Sequence, residues 1–280
     1  MMNHTPYIQR TYRKYDNVLE RYAAHIFRTI GQAETVLACS TDEHLRLPPC
    51  SCGMKPIEPG ETWGSEYGNV WLHTEITVPD CADGKILCAI PDAEAVEILC
   101  FREGKPAGII NSKNNFLGGM HSAMFVSGCA KAGEKITLDF ECYAGHDCLG
   151  CSPYSSYGQD RAQTNFTKRY HGIRLCILDE TFRDFCFDLS TVLQIARLPE
   201  NNFTAIKAHE CLMDAFPYLI QDVCTATEDE LRECAEKIRP ILAPALEKHP
   251  GGDRSRGYIG LIGHSHMDTA WLWPVSETIR

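Results

Sequence analysis

The chain has 280 residues, 44% of them hydrophobic and 23% charged. This is ordinary globular composition and excludes a disordered or fibrous protein, and the length exceeds one average domain. The formal net charge of −10 argues against nucleic acid as the main partner, because phosphate binding relies on Lys and Arg.

In chain order, residues 16–30 read as an amphipathic helix. Asp16 is placed to cap it, Val18, Leu19, Tyr22, Ala23, Ile26 and Phe27 recur at helical spacing, and Gly31 ends it. Residues 32–68 read as loop, punctuated by Pro48-Pro49, Pro56, Pro59-Gly60 and Gly64. From about residue 69 the period becomes two. Val70, Leu72, Thr74, Ile76 and Val78 alternate with Trp71, His73, Glu75 and Thr77. Further alternating runs follow at Ile86–Ile90, Val96–Cys100, Ile136–Cys142 and Ile173–Ile177, with Glu103-Gly104 as a hairpin turn. Together they predict a β-sandwich. The helical period then returns. Phe182, Phe185, Leu189, Val192 and Ala196 form one stripe, residues 202–221 a second helix, and Thr227-Glu228-Asp229-Glu230 a capping box that opens a third. Pro240 and Pro244 are expected to kink or interrupt that helix. The domain expectation is an N-terminal helix and loop over 1–55, a β-sandwich over 56–180, a helical connector over 181–252, and the start of an α/β domain over 253–280.

The 15 cysteines are read as reduced thiols. The opening Met1-Met2-Asn3-His4-Thr5-Pro6-Tyr7 has no apolar core of an export signal, and no stretch approaches the ~18 apolar residues of a membrane span. A cytoplasmic protein with no membrane partner is therefore expected. Cys88, Cys100, Cys142, Cys176 and Cys186 fall at apolar positions and act there as small hydrophobes. The pairs Cys50/Cys52 and Cys148/Cys151 have spacings compatible with a four-thiolate zinc site, and their role stays open.

The chemistry concentrates at the end. Tyr258-Ile259-Gly260-Leu261-Ile262 reads as a buried strand. It leads into Gly263-His264-Ser265-His266-Met267-Asp268-Thr269-Ala270-Trp271-Leu272-Trp273-Pro274. In α/β folds, active sites sit beyond the carboxyl ends of parallel strands. In extended backbone, residues i and i+2 share a face, so His264, His266 and Asp268 can face one site. Imidazole and carboxylate are both good zinc ligands. His-x-His-x-Asp by itself is equally satisfied by polar residues hydrogen-bonded at a strand end.

The longer context, through Glu277-Thr278, resembles the opening motif of glycoside hydrolase family 38 α-mannosidases, most of all the cytosolic and bacterial branch. Upstream, Pro59-Gly60-Glu61-Thr62-Trp63-Gly64 before the first long strand, and a sandwich followed by helices, are similar to what cytosolic-type members carry. The resemblance implies a multi-domain protein: an N-terminal β-sandwich with a helical segment, then the first strand of an α/β-barrel catalytic domain. It implies that His266 and Asp268 bind Zn2+ and that Trp271 lines the mannose site, with mannose-containing oligosaccharides as substrate. It also implies retaining hydrolysis by two carboxylates. The family's nucleophile, acid/base residue and remaining zinc ligands lie downstream of this motif. No catalytic residue is thus expected within these 280 residues, and the chain alone is expected to be inactive.

Several residues keep a second reading. His264 is read as an outer hydrogen-bonding residue rather than a third ligand. Trp273 serves packing as well as sugar contact, and Glu277 starts a helix. Trp63, Tyr67 and Trp71 fit core packing better than a carbohydrate-binding face. Two alternatives to the mannosidase remain open. One is an amidohydrolase-type metal-dependent hydrolase with His264 and His266 as the ligand pair. The other is a non-catalytic carbohydrate-binding or oligomerisation module, and a homo-oligomer stays open in either case.

Overall fold

The computed structural model describes residues 6–43, 45–111, 122–145, 166–198, 203–220, 222 and 224–247. It divides into two compact units. A helical unit takes the chain up to Phe27 and again from Asp179, and a sheet unit takes Arg28–Leu178.

In the helical unit, α1 spans Pro6–Ala23, α2 Glu180–Ala196, α3 Phe203–Ala215 and α4 Glu228–Leu246, with a short 3-10 turn at Phe216–Tyr218. The first helix begins earlier and ends earlier than its periodicity predicts. It opens on Pro6, whose missing N–H is no loss at a helix start. Its buried stripe is Ile8, Thr11, Tyr12, Tyr15, Val18, Leu19 and Tyr22. Four of these seven are tyrosine or threonine, so an apolar count sees only its last turns. Asp16 is not a cap. It lies mid-helix and pairs with Arg197 at 2.8 Å.

Helix α1 was expected to belong to an opening segment of its own, and here it packs with α2–α4. Its tyrosines reach backbone carbonyls across the unit. Tyr15 donates to Leu212 O, Tyr22 to Leu231 O at 2.9 Å, and Tyr12 lies 2.9 Å from His209 Nδ1. Buried tyrosines need such acceptors, because an unpaired hydroxyl in a core is costly.

Asp179 caps α2, accepting from Phe182 N at 3.2 Å. The predicted capping box is present at α4: Thr227 Oγ1 accepts from Glu230 N, and Glu230 Oε2 accepts from Thr227 N. The prolines do not stop α4, which runs through both Pro240 and Pro244. The stripe Leu231, Cys234, Ala235, Ile238, Leu242 and Ala245 is buried along the whole helix. Tertiary burial of that stripe outweighs the hydrogen bonds the prolines remove. No helix among the described residues is long and apolar enough to cross a membrane.

The sheet unit holds β1 (Phe27–Gln32), β2 (Leu37–Thr41), β3 (Lys55–Pro56), β4 (Thr62–Trp63), β5 (Asn69–Thr77), β6 (Leu87–Asp92), β7 (Glu97–Arg102), β8 (Lys105–Asn111), β9 (Met124–Ser127), β10 (Lys135–Tyr143), β11 (Lys168–Arg169) and β12 (Gly172–Leu178). A four-stranded sheet runs β1-β12-β6-β9 and a six-stranded sheet β3-β2-β5-β10-β7-β8, with β11-β4 as a small ribbon. Pairings such as β5–β10, β7–β10 and β6–β12 are antiparallel. Strands β1 and β2 occupy stretches expected to be helix and loop. Their side chains are mostly half-buried, so their sequence shows no clean alternation.

One core serves both larger sheets. Val70, Leu72 and Ile76 of β5 and Leu138 and Phe140 of β10 join Leu87 and Ala89 of β6, Met124 and Val126 of β9, and Ile173 and Leu175 of β12. Each fully buried aliphatic or aromatic side chain contributes about 1.5–3 kcal/mol, and the shared core is what holds the layers together. The hairpin turn between β7 and β8 falls at Glu103-Gly104 as predicted. Both residues have positive φ, 51° and 69°, the backbone of a two-residue type I′ turn. The expected first barrel strand, residues 258–262, lies outside the described residues.

Candidate functional site

Alternation on β5 and β10 puts one set of side chains into the shared core and the other on the far face of the six-stranded sheet. That far face is not uniformly polar and wet. At one end Glu75 and Thr77 are exposed. At the other, Asn69, Trp71, Asp139 and Glu141 are all buried.

Register sets Asp139 opposite His73 and Glu141 opposite Trp71. His73 Nδ1 lies 2.7 Å from Asp139 Oδ1, with the carboxylate 5% and the imidazole 22% exposed. An ionised carboxylate only accepts, so the hydrogen bond is donated by Nδ1. This is how carboxylates orient functional histidines. Beside it, the Trp71 ring packs on Phe101 with centroids 5.4 Å apart. Its buried indole Nε1 has no hydrogen-bond partner among the described residues. The pair can hold a proton or offer one metal ligand. A chelate needs more, and among the described residues no group of three or more His, Cys, Asp and Glu side chains is placed to hold a metal ion.

A second histidine–carboxylate pair sits on the surface. His171 Nε2 lies 3.1 Å from Glu94 Oε1, and Arg169 N donates to Glu94 Oε2 at 3.1 Å. The hydrogen bond from His171 holds the Glu94 carboxyl below its ordinary range, with Arg169 adding to it. Glu94 has φ 53°, an uncommon backbone for a residue other than glycine. Neither histidine pair carries a sequence signal, since its partners lie 66 and 77 residues apart.

The residues singled out by sequence fall into two groups. His264, His266, Asp268, Trp271, Trp273 and Glu277 lie outside the described residues, as do Cys148 and Cys151. Those that are described behave mainly as core. Trp63 belongs to the shared core and donates its indole proton to Ala93 O at 3.0 Å. Trp71 is fully buried, so neither ring is an exposed platform for a sugar. Tyr67 is half-buried. Cys88, Cys100, Cys142, Cys176 and Cys186 are buried free thiols. Burial pushes Cys88, Cys100 and Cys186 up to about 12 and Cys142 well above the ordinary thiol range. Such thiols are inert. Cys50 and Cys52 are exposed.

No family model matches the chain. The chain is 24% identical over 230 residues to alpha-mannosidase 2C1 of Mus musculus and 26% identical over 232 residues to alpha-mannosidase 2C1 of Homo sapiens. These alignments cover 80% and 81% of this chain and 20% of each relative. The chain thus spans about a fifth of the length of the curated relatives it matches. Among solved structures, Faecalibacterium prausnitzii beta-glucuronidase is 12% identical, with a TM-score of 0.37 over 55% of this chain and 32% of that one. Ruminococcus gnavus beta-glucuronidase is 13% identical, with a TM-score of 0.34 over 55% of this chain and 29% of that one. The likeness to the two curated alpha-mannosidases is too long to be confined to the motif at residues 258–280, and takes in a large part of the sheets and helices described above.

Proposed function

We propose that this chain is the N-terminal part of a zinc-dependent retaining α-mannosidase of the family 38 type. One observation carries the reading: the segment Gly263–Pro274, with the Glu277-Thr278 that follows it, stands in a chain that resembles alpha-mannosidase 2C1 over four fifths of its length. In this reading His266 and Asp268 are zinc ligands and Trp271 faces the mannose ring. The donor set suits the ion, since imidazole nitrogen and carboxylate oxygen both coordinate zinc at about 2.0–2.2 Å.

Bound zinc would polarise sugar hydroxyls as a Lewis acid. The work of this chain's own residues is to bind and orient. His266 and Asp268 would hold the ion, and with it the sugar hydroxyls, in place. Trp271 offers an apolar ring to the C–H face of the sugar and keeps water from it. The covalent chemistry belongs to two carboxylates further along the family's pattern, one attacking the anomeric carbon and one protonating the leaving oxygen before activating water.

The test uses the full product of the gene, stripped of metal and assayed on an aryl α-mannoside with and without zinc. Activity restored by zinc and lowered roughly 100-fold or more by His266→Ala and by Asp268→Ala is expected, because loss of a ligand exceeds the 10–100-fold effect of an outer residue. His264→Ala should keep the metal. If His264→Ala strips the metal while Asp268→Ala retains it, the site is of the amidohydrolase kind and the mannosidase reading fails.

A further inference from the structure

The loop between β2 and β3 contains a feature that the proposed glycosidase site does not use. Cys50 is the N-cap of a 3-10 turn at Ser51–Gly53, and its Sγ accepts from Cys52 N at 3.4 Å. The two sulfur atoms are 2.8 Å apart, and both side chains are exposed. Met54 N donates to Ser51 O at 3.1 Å and closes the turn, so the backbone itself keeps the thiols side by side. The pair contrasts with the buried thiols of the sheets, which no solute reaches.

We propose that Cys50 and Cys52 form a dithiol site that reacts with small-molecule disulfides, of which glutathione disulfide is the simplest, and closes to a Cys50–Cys52 disulfide. Cys50 is the attacking thiolate. It already accepts a backbone N–H, and the neighbouring Cys52 thiol holds it below the ordinary thiol range while Cys52 itself is raised. A lowered thiolate in an exposed turn is the reactive kind. In the first step the Cys50 thiolate attacks one sulfur of the small disulfide. The Cys50–S bond forms, the S–S bond breaks, and one glutathione thiolate leaves and takes a proton. In the second step Cys52 gives up its proton and attacks Cys50 Sγ, releasing the second glutathione. Two protein thiols and one disulfide become one protein disulfide and two thiols, so electrons balance with no further oxidant. The second step is intramolecular between atoms already in contact, and is fast for that reason.

The experiment treats the 280-residue chain with glutathione disulfide at neutral pH, quenches with acid, and maps peptides by mass. Trypsin together with Glu-C places both cysteines, and no other, in the single peptide Leu47–Glu61, because the Lys55–Pro56 and Glu58–Pro59 bonds resist cleavage. In the unaltered chain that peptide should become lighter by two hydrogens, with little glutathione adduct. In Cys52→Ser the second step is gone, and the adduct on Cys50 should accumulate roughly tenfold or more above the unaltered chain. Exposed Cys129 and Cys224 serve as internal references. Equal adduct on the unaltered chain and on Cys52→Ser, or reaction at Cys50 no faster than at Cys129 and Cys224, would overturn the proposal. Cys52→Ser alters an exposed side chain, and a circular dichroism melt matching the unaltered chain certifies the comparison.

Discussion

Arg232 closes on Asp179 with two guanidinium contacts, 3.2 Å to Oδ1 and 2.6 Å to Oδ2. The same carboxylate caps α2, and the guanidinium lies 4.8 Å over the Phe182 ring. Asp179→Ala removes cap and ion pair together and should lower the unfolding free energy by about 1–3 kcal/mol, while Asp179→Asn keeps the cap and should cost less than half of that. Urea unfolding of both variants separates the two contributions.

The same pair predicts an acid response. Burial pulls the Asp179 carboxyl upward, but the hydrogen bonds from Arg232 and from the Phe182 amide outweigh it and leave the group below the ordinary carboxylate range. A depressed folded pKa means stability that is complete above the unfolded value near ~3.9 and is lost as pH falls through the folded value. Stability measured from about pH 6 down to pH 3 should therefore drop more steeply for the unaltered chain than for Asp179→Asn. Parallel curves would remove Asp179 from the acid transition.

Tyr22→Phe deletes one hydroxyl, the donor to Leu231 O. Its expected cost is about 0.5–1.5 kcal/mol, since the ring stays packed between Phe182 and Phe185 and only the hydrogen bond is lost. Tyr22→Ala also empties the ring's space and should cost about 3–5 kcal/mol. Chemical unfolding followed by tyrosine-insensitive far-UV circular dichroism distinguishes them.

Within the sheets, Phe140→Ala should cost about 3–5 kcal/mol, because the side chain is fully buried in the core that both sheets share. Lys135, on the same strand, pairs with Glu75 at 2.9 Å with both side chains mostly exposed. Lys135→Ala should change stability by no more than about 1 kcal/mol. Comparable losses for the two would contradict the shared core.

Gly104 occupies the second central position of the β7–β8 turn, where φ is 69°. Gly104→Val forces a branched side chain into left-handed backbone and should cost about 1–2 kcal/mol, whereas Gly104→Asn should cost much less. Thermal melts of the two variants give the ranking directly.

The parts of this fold that are legible in sequence are those where one periodicity acts alone. β5 and β10 alternate cleanly because one face meets the core and much of the other carries polar side chains. The Glu103-Gly104 turn and the Thr227–Glu230 box are local chemistry and appear where they were expected. The misses have physical causes. Tyr12, Tyr15 and Thr11 build the buried stripe of α1 with polar-tipped side chains, so its first turns do not look apolar. β1 and β2 are only half-buried, and the prolines of α4 are overridden by packing that no local rule sees. For the proposed site, residue types and spacing at 264–271 are legible, and these positions lie outside the described residues. The His73–Asp139 and His171–Glu94 pairs depend on register between distant strands, which no motif encodes.

Asp179 donates its amide proton to Ile26 O at 2.8 Å, so the chain comes back to its starting point after completing the sheets. On a ribosome, Tyr22 emerges long before Leu231, its acceptor 209 residues later. A lone amphipathic segment of this length is a marginal helix in water, and α1 must wait for α2–α4 to be made. The described strands are complete by Leu178, and their pairing, β1 beside β12, gathers the two ends of the intervening stretch. Most of the loop-closure entropy that separates α1 from its partners has then already been spent. Synthesis therefore delivers the described strands before α2–α4, and a nascent chain halted just past Leu178 would leave α1 without the helices it packs on.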